Sequence, residues 1–150
     1  MSNELLHFED FALGQKFYGG PYRVSQAEIL EFAHEFDPQP HHLDDEAGKH
    51  SMLGGLSASG WHICAMAMRL FADSVILKTA NRGGPGCEDC RWLKPVQPGD
   101  ALMLEAEVIE ARPSASRPEI GFVKFAWRLF NQRGQVAELL VTTMPAKRGV

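Results

Sequence analysis

The chain has 150 residues, of which 45% are apolar and 23% are charged, and its formal net charge at pH 7 is -4. This length and composition predict one domain, residues 1–150, with its own hydrophobic core, and the lack of a basic run argues against a nucleic-acid partner. We expect no membrane partner, because no apolar run looks long enough to span a bilayer, and no signal peptide, because no basic segment precedes an apolar one at the N-terminus.

The three cysteines, Cys64, Cys87 and Cys90, are an odd number in a chain without a predicted signal. This predicts reduced thiols and a cytoplasmic location. Cys87 and Cys90 form a single C-x-x-C motif. A structural zinc site needs a second ligand pair, and a redox motif should lie at a helix N-terminus, whereas residues 91–93 read as a strand. The motif is therefore weak evidence for either function.

The first predicted helix follows a short extended segment. Residues 16–18 predict a strand, and Gly19-Gly20-Pro21 predicts its end. Ser25 is a good helix N-cap, and Glu28 stands three positions later as in a capping box, on the side predicted to face water. The helix is predicted to end at Asp37. Apolar residues at helical spacing predict one buried face: Ile29, Phe32, Ala33 and Phe36.

A loop stiffened by two prolines follows this helix. Pro38 and Pro40 each fix their own φ and push the preceding residue away from helical geometry. Asp37 and His42 are therefore held on a loop that cannot fold back into the helix. A carboxylate and an imidazole at fixed separation are what a proton-transfer site needs. The alternative is that Asp37 only ends the helix and the histidines are solvated, and this stretch alone does not distinguish the two.

The second long helix is predicted from Trp61 to about Lys78. A short helix is expected before it, between Leu43 and Ser51, with Asp44 and its acidic neighbours solvated or capping. The first half of the long helix is apolar almost all round, which predicts burial on every side inside a curled sheet. At its N-terminus, Gly60 lets a ligand oxygen approach the unpaired backbone N–H groups. Alternatively, the small residues there only permit tight packing.

The C-terminal half reads as strands at residues 87–93, 101–110, 121–130 and 135–144. The last three alternate apolar and polar residues and are joined by short turns, which predicts an antiparallel meander. The predicted fold class is α+β, with an antiparallel sheet wrapped around the long helix.

Three motifs resemble those of one family. Asp37-Pro38-Gln39-Pro40-His41-His42 resembles the D-x-N-P-x-H motif of MaoC-like dehydratases and (R)-specific enoyl-CoA hydratases. Ala58-Ser59-Gly60-Trp61-His62 resembles the start of the family's central helix, and residues 92–100 resemble the P-V-x-P-G-D turn of hotdog proteins. The resemblance extends from Phe8 to about Met144 and implies a single hotdog domain.

The resemblance implies reversible hydration of trans-2-enoyl thioesters, carried by CoA or acyl carrier protein, to 3-hydroxyacyl thioesters. Asp37 and His42 fall on the catalytic positions, and the Gly60 N–H is expected to bind the enolate oxygen. The implied substrate-binding residues are Gln39, Ser59, Trp61 and Ala65, with Met66 and Met68 further along the acyl chain. The resemblance also implies no metal, no cofactor, and a homodimer or higher homo-oligomer.

Two departures from the family pattern keep other functions open. Gln39 stands where the hydratase motif has Asn, and Ser59 stands where hydratases often carry His. An acyl-CoA thioesterase shares the fold, but the spacing of Asp37 and His42 favours a hydratase. A non-catalytic acyl-thioester-binding subunit is the remaining alternative. The other histidines near the motifs are expected to be surface or packing residues: His34, His41, His50 and His62.

Overall fold

Apolar alternation along the C-terminal half builds the long strands of an antiparallel sheet. The computed structural model describes residues 4–149. Within these residues the main elements follow in this order: β1 (Lys16–Arg23), α1 (Gln26–Phe36), α2 (Pro40–Leu43), α3 (Asp45–Lys49), α4 (Gly60–Ser74), β2 (Gly86–Trp92), β3 (Ala101–Pro113), β4 (Gly121–Asn131) and β5 (Gly134–Thr143).

The strands lie side by side in the order β1-β3-β4-β5-β2. Strands β3, β4 and β5 form the predicted antiparallel meander, while β1 pairs with β3 and β2 pairs with β5. Alternate residues of β3 and β4 point into the core: Leu102, Leu104, Ala106, Val108, Val123, Phe125, Trp127 and Leu129. In the core, the Phe71 ring of α4 lies 4.9 Å from the ring centroids of Phe125 and Trp127. The predicted α+β arrangement of a sheet around a long helix is confirmed.

The central helix α4 is buried on one side only. Its inner face lies in the core: Ile63, Met66, Ala67, Leu70 and Phe71. On its outer face Ala65 is exposed, Trp61 is 63% exposed and Met68 is 42% exposed. The prediction of burial on every side is therefore wrong for the single chain, because its sheet covers only one side of the helix.

Helix boundaries differ from the predictions in two places. Helix α4 ends at Ser74, and Lys78 belongs to a separate 3-10 turn. The short helix predicted between residues 43 and 51 is confirmed as α3, and Asp44 caps it by accepting the Ala47 N–H. The stretch predicted as a loop before it is wrong in part, because it contains the short helix α2, which carries His42. By length and composition the stretch Gly60–Lys78 is also apolar enough to cross a membrane, contrary to our expectation, although core helices pass the same test.

Strand β1 runs through the segment that was expected to end it. The pairing register of β1 with β3 shifts between Gly19 and Tyr22, so a bulge takes up the irregular residues and the strand continues. A Cβ atom at Gly19 would lie 2.9 Å from the Leu70 carbonyl oxygen of α4. Glycine at this position therefore allows the strand to pass close over the central helix.

Helix α1 begins with the predicted capping box. The Glu28 N–H donates to Ser25 Oγ at 3.2 Å, and the Ser25 N–H donates to the Glu28 carboxylate at 3.1 Å. Glu28 also accepts a hydrogen bond from the Tyr22 hydroxyl at 2.7 Å and lies 3.5 Å from His62 Nε2, so the prediction that it faces water is wrong. Phe36, predicted on the buried face, is 65% exposed.

Asp100 in the turn before β3 joins that turn to the β4–β5 hairpin. Its carboxylate accepts hydrogen bonds from Asn131 Nδ2, Gln132 Nε2 and the Gln97 N–H at 2.9–3.1 Å, and the residue is 3% exposed. Replacing Asp100 by Ala leaves these donors without their acceptor, so we expect the free energy of unfolding in urea to fall by about 1–3 kcal/mol. As a control, Asp73→Ala removes an exposed helical ion pair and should change it by less than about 0.5 kcal/mol. Equal losses in both variants would contradict this role of Asp100.

Candidate active site

The end of α1 and the start of α2 bring one carboxylate and one imidazole together. Asp37 directly follows α1, and its N–H still donates to the Ala33 carbonyl. Pro40 begins α2, which carries His42. His42 is buried, and its Nδ1 lies 2.7 Å from the Ser57 carbonyl oxygen. Because a carbonyl only accepts, Nδ1 carries the proton, and in the neutral ring Nε2 keeps its lone pair. Nε2 lies 3.5 Å from Asp37 Oδ2.

Both residues that depart from the family motif hydrogen-bond to Asp37. Ser59 Oγ donates to Asp37 Oδ2 at 2.6 Å, and Gln39 Nε2 donates to Oδ1 at 2.7 Å. Burial raises the pKa of Asp37, but these two hydrogen bonds and the neighbouring His42 and His41 lower it by more, so the pKa lies below its ordinary value. Asp37 is therefore held as a carboxylate, with one donor fixing each oxygen.

Helix α4 begins beside this carboxylate. Ser59 is its N-cap, and its hydroxyl donates to Asp37, but within the described chain this hydroxyl accepts no capping hydrogen bond from the helix. The first N–H groups of the helix, from Gly60 onward, have no carbonyl partner within the helix and carry a partial positive charge. The indole of Trp92 lies against Gly60, since a Cβ atom there would be 2.4 Å from a ring carbon. An uncapped helix N-terminus thus lies next to an aromatic wall.

These groups line one cavity of about 490 Å³. Its polar wall contains Asp37, Gln39, His41, His42, Ser57 and Gly60. Its apolar wall contains Met52, Leu53, Trp61, Ile63, Trp92 and Leu93. Between residues 4 and 149, no three His, Cys, Asp or Glu side chains are grouped so as to hold a metal ion.

The residues predicted for the site fall in three places. Those that line the cavity are Asp37, Gln39, His42, Gly60 and Trp61. Ser59 is fully buried behind the cavity wall and reaches the site through its bond to Asp37. Ala65 lies on the exposed face of α4, Met66 lies in the core, and Met68 lines a separate cavity. In the described chain, the predicted acyl path along Ala65 and the two methionines is therefore not part of the Asp37 cavity.

Three further residues of the site were not predicted from the sequence. Ser57 contributes a backbone carbonyl, which every residue type offers, so no sequence signal marks it. Trp92 reaches Gly60 from a strand that is distant in the chain. His41 lines the cavity and packs edge-on against His42, with 4.2 Å between ring centroids. The other three histidines near the motifs lie on the surface or in the core, as expected: His34, His50 and His62.

Comparison with known proteins gives the family. Residues 10–120 match the family described as MaoC like domain. The uncharacterized protein YdeM of Bacillus subtilis (strain 168) is 30% identical over 128 residues, which are 85% of this chain and 89% of that protein.

Solved structures give the same result. The MaoC-like dehydratase from Rhodospirillum rubrum is 41% identical, with a TM-score of 0.87 over 97% of this chain and 99% of that one. The unliganded R-hydratase PhaJ1 from Pseudomonas aeruginosa is 25% identical, with a TM-score of 0.78 over 96% of this chain and 88% of that one. This chain therefore belongs to the MaoC-like domain family and has the hotdog fold of the dehydratases and (R)-hydratases that it resembles.

Proposed function

We propose that this protein catalyses the reversible hydration of trans-2-enoyl thioesters, carried by CoA or acyl carrier protein, to 3-hydroxyacyl thioesters. The observation that carries the proposal is the 3.5 Å separation of His42 Nε2 and Asp37 Oδ2, in a cavity that also contains the N-terminus of α4. Membership of the MaoC-like family and the similarity to a protein named R-hydratase support the same class of reaction.

The pair of side chains is suited to activate one water molecule. At 3.5 Å, His42 Nε2 and Asp37 Oδ2 are too far apart for a strong direct hydrogen bond, so each retains capacity to accept one from water. Asp37 then orients the water oxygen toward C3, while His42 takes a water proton through Nε2. We assign proton transfer to His42, because its Nδ1–H faces the Ser57 carbonyl and leaves the Nε2 lone pair free to accept a proton, whereas the lowered pKa makes Asp37 a weaker base.

Negative charge then develops on the thioester oxygen. Attack of hydroxide on C3 moves the alkene electrons toward this oxygen and forms an enolate. The Gly60 N–H and the positive end of the α4 dipole would stabilise that charge. Protonated His42 returns its proton to C2 as the carbonyl re-forms, so OH adds at C3 and H adds at C2. Dehydration follows the same steps in reverse.

The apolar side of the cavity is the place for the acyl chain. Trp61, Ile63 and Trp92 line it, and they would contact the first carbons of the chain while the carrier arm stays outside. This route replaces the path along Ala65 that the resemblance implied.

The direct test mixes the purified protein with crotonyl-CoA and with a longer enoyl-CoA. We expect enoyl absorbance to fall without release of free thiol. Thiol release from saturated or unsaturated acyl-CoA would instead establish a thioesterase. Calorimetric binding of an acyl-CoA without turnover of any enoyl substrate would favour a non-catalytic acyl-binding protein.

Ser59→Ala should raise the pKa of Asp37 by about one pH unit, measured from the pH dependence of the Asp37 carboxyl-carbon chemical shift by nuclear magnetic resonance. The Ser59 hydroxyl stabilises the Asp37 carboxylate, so its removal raises the pKa of Asp37, and the carboxylate is protonated at higher pH. The lowered pKa of Asp37 also stabilises the folded protein. This stabilisation is fully present above the pKa that Asp37 has in the unfolded chain, and it is lost as the pH falls through the pKa of Asp37 in the folded protein. Ser74→Ala removes a hydroxyl bonded to the Leu70 carbonyl and serves as the matched control. An unchanged pKa of Asp37 in Ser59→Ala would contradict this role of Ser59.

We also propose a homodimer in which the β2 edges of two chains pair, so that their sheets join edge to edge. Strand β2 pairs with β5 on one side and is largely exposed, and Trp61 and Trp92 are exposed beside this edge. An open strand edge beside exposed apolar side chains favours association. Light scattering after size exclusion at micromolar concentration should give twice the 16.7 kDa of one chain. A monomer mass would rule the dimer out.

A further inference from the structure

Two cysteines from distant parts of the chain meet between α4 and β2. Cys64 Sγ lies 3.7 Å from Cys90 Sγ, although the residues are 26 positions apart. Both are free thiols of intermediate exposure, whereas Cys87 in the same strand is exposed. None of these thiols takes part in the hydration chemistry proposed above.

A bulge in β2 directs Cys90 toward the helix. The register of β2 with β5 shifts after Glu88, and Asp89 has a φ of 52°, a value uncommon outside glycine. A bulge inserts one extra residue into a strand. Side chains three positions apart in a regular strand point to opposite faces, so the bulge explains why Cys90 contacts Cys64 while Cys87 lines a cavity on the same side.

We propose that Cys64 and Cys90 form a reversible disulfide on exposure to a low-molecular-weight disulfide such as oxidised glutathione, and that this bond fixes β2 against α4 beside the active site. The Cys64 thiolate attacks one glutathione sulfur and releases one glutathione thiolate. Cys90 then loses its proton to solvent, attacks the Cys64 sulfur and releases the second. Two cysteine thiols are oxidised, and one glutathione disulfide is reduced to two thiols.

The surroundings of the two sulfurs assign the order of attack. Cys64 lines an open cavity of about 450 Å³ between α4 and the sheet, which a small disulfide can enter. Burial, followed by the hydrogen bond with Cys64 and the neighbouring Cys87, raises the pKa of Cys90 to about 12, so Cys90 is the second nucleophile. The sulfur separation must shorten from 3.7 Å to about 2.0 Å, so the two side chains must move together when the bond forms.

The disulfide would affect the wall of the active site because two contacts between α4 and β2 are adjacent. Gly60 and Cys64 are one turn apart on the same face of α4, and Cys90 and Trp92 are two positions apart on the same face of β2. The Cys64–Cys90 contact therefore lies next to the Gly60–Trp92 contact. A disulfide holds Trp92 over Gly60 and hinders entry of the thioester, a consequence that rests on the proposed function.

The test for the bond treats the intact chain with oxidised glutathione and follows its mass and its non-reduced peptides. Wild type and Cys87→Ser should each lose two hydrogens and yield a peptide that links Cys64 to Cys90. Cys64→Ser and Cys90→Ser should yield no such peptide, and dithiothreitol should reverse the change. Wild-type protein that carries only glutathione adducts, or bonds through Cys87, would overturn the proposal.

The test for the effect on the site uses the same samples in the enoyl-CoA assay. Hydration by the cross-linked wild type should fall severalfold and recover on reduction, whereas Cys64→Ser should keep its basal rate after oxidation. Unchanged hydration by fully cross-linked protein would overturn the effect on the site. If the reduced protein hydrates no enoyl-CoA, the proposed function fails, but the mass result still decides whether the disulfide forms.

Discussion

Replacing Asp37 by Asn should lower kcat/KM for enoyl-thioester hydration by roughly 10²–10⁴-fold. The two carboxylate oxygens accept from Ser59 on one side and from Gln39 on the other. An amide nitrogen in place of either oxygen would face a donor, so the variant loses both the negative charge and its fixed orientation. His42→Ala should cause a loss of the same order, because it removes the group that takes the water proton and returns it to C2. The rate is read from the loss of enoyl absorbance.

The double variant and a distant histidine complete this experiment. Combining the two substitutions should cost little more than the worse single one, because both residues act on the same water molecule. His50→Ala is the matched control, since His50 is exposed and its Nδ1 contacts the Glu46 backbone carbonyl; it should keep wild-type turnover. Circular dichroism and thermal unfolding check that each variant is folded. Near-native turnover of a folded Asp37 or His42 variant would exclude the pair as the catalytic centre.

The candidate pair can be found in the sequence because its geometry is local. Asp37 at the end of α1 and His42 in α2 are five positions apart in the sequence, so spacing alone predicts their proximity. The role of Ser59, in contrast, depends on contact between distant parts of the chain. Ser59 donates to Asp37 from 22 positions away, and Gln39 bonds the same carboxylate. From the sequence alone, both differences from the motif suggest a loss of catalytic function, yet each side chain donates a hydrogen bond that orients the Asp37 carboxylate.

Some parts of the fold can likewise be predicted from neighbouring residues, whereas others depend on residues that are distant in the chain. Alternation predicts β3, β4 and β5, because the period of a strand is visible within a few residues. Composition alone cannot say which side of an apolar helix its own sheet covers, so the exposure of Trp61 and Met68 on α4 could not be predicted. The bulge at Asp89, which places Cys90 against Cys64, depends on pairing with β5 and leaves no pattern in the sequence of β2.

Replacing Gly60 by Ala should lower the free energy of unfolding by about 1–3 kcal/mol and the hydration rate by roughly 10²-fold or more. In an ordinary helix this change is favourable by about 1 kcal/mol, so any loss must come from the surroundings of Gly60. A Cβ atom there would lie 2.4–2.7 Å from three carbons of the Trp92 indole. Either the indole or the start of α4 must move, and a displaced helix N-terminus no longer presents its N–H groups to the thioester oxygen.

The double variant Gly60→Ala/Trp92→Ala identifies which contact causes the loss. Trp92 is 44% exposed, so Trp92→Ala alone should cost less than removal of a core aromatic residue. If the indole is what the new Cβ meets, the double variant should be as stable as Trp92→Ala and should hydrate enoyl-CoA faster than Gly60→Ala. The two substitutions would then be strongly non-additive, as expected for residues in direct contact. Additive losses in stability and rate would show instead that the added methyl group acts on the α4 N-terminus without the indole.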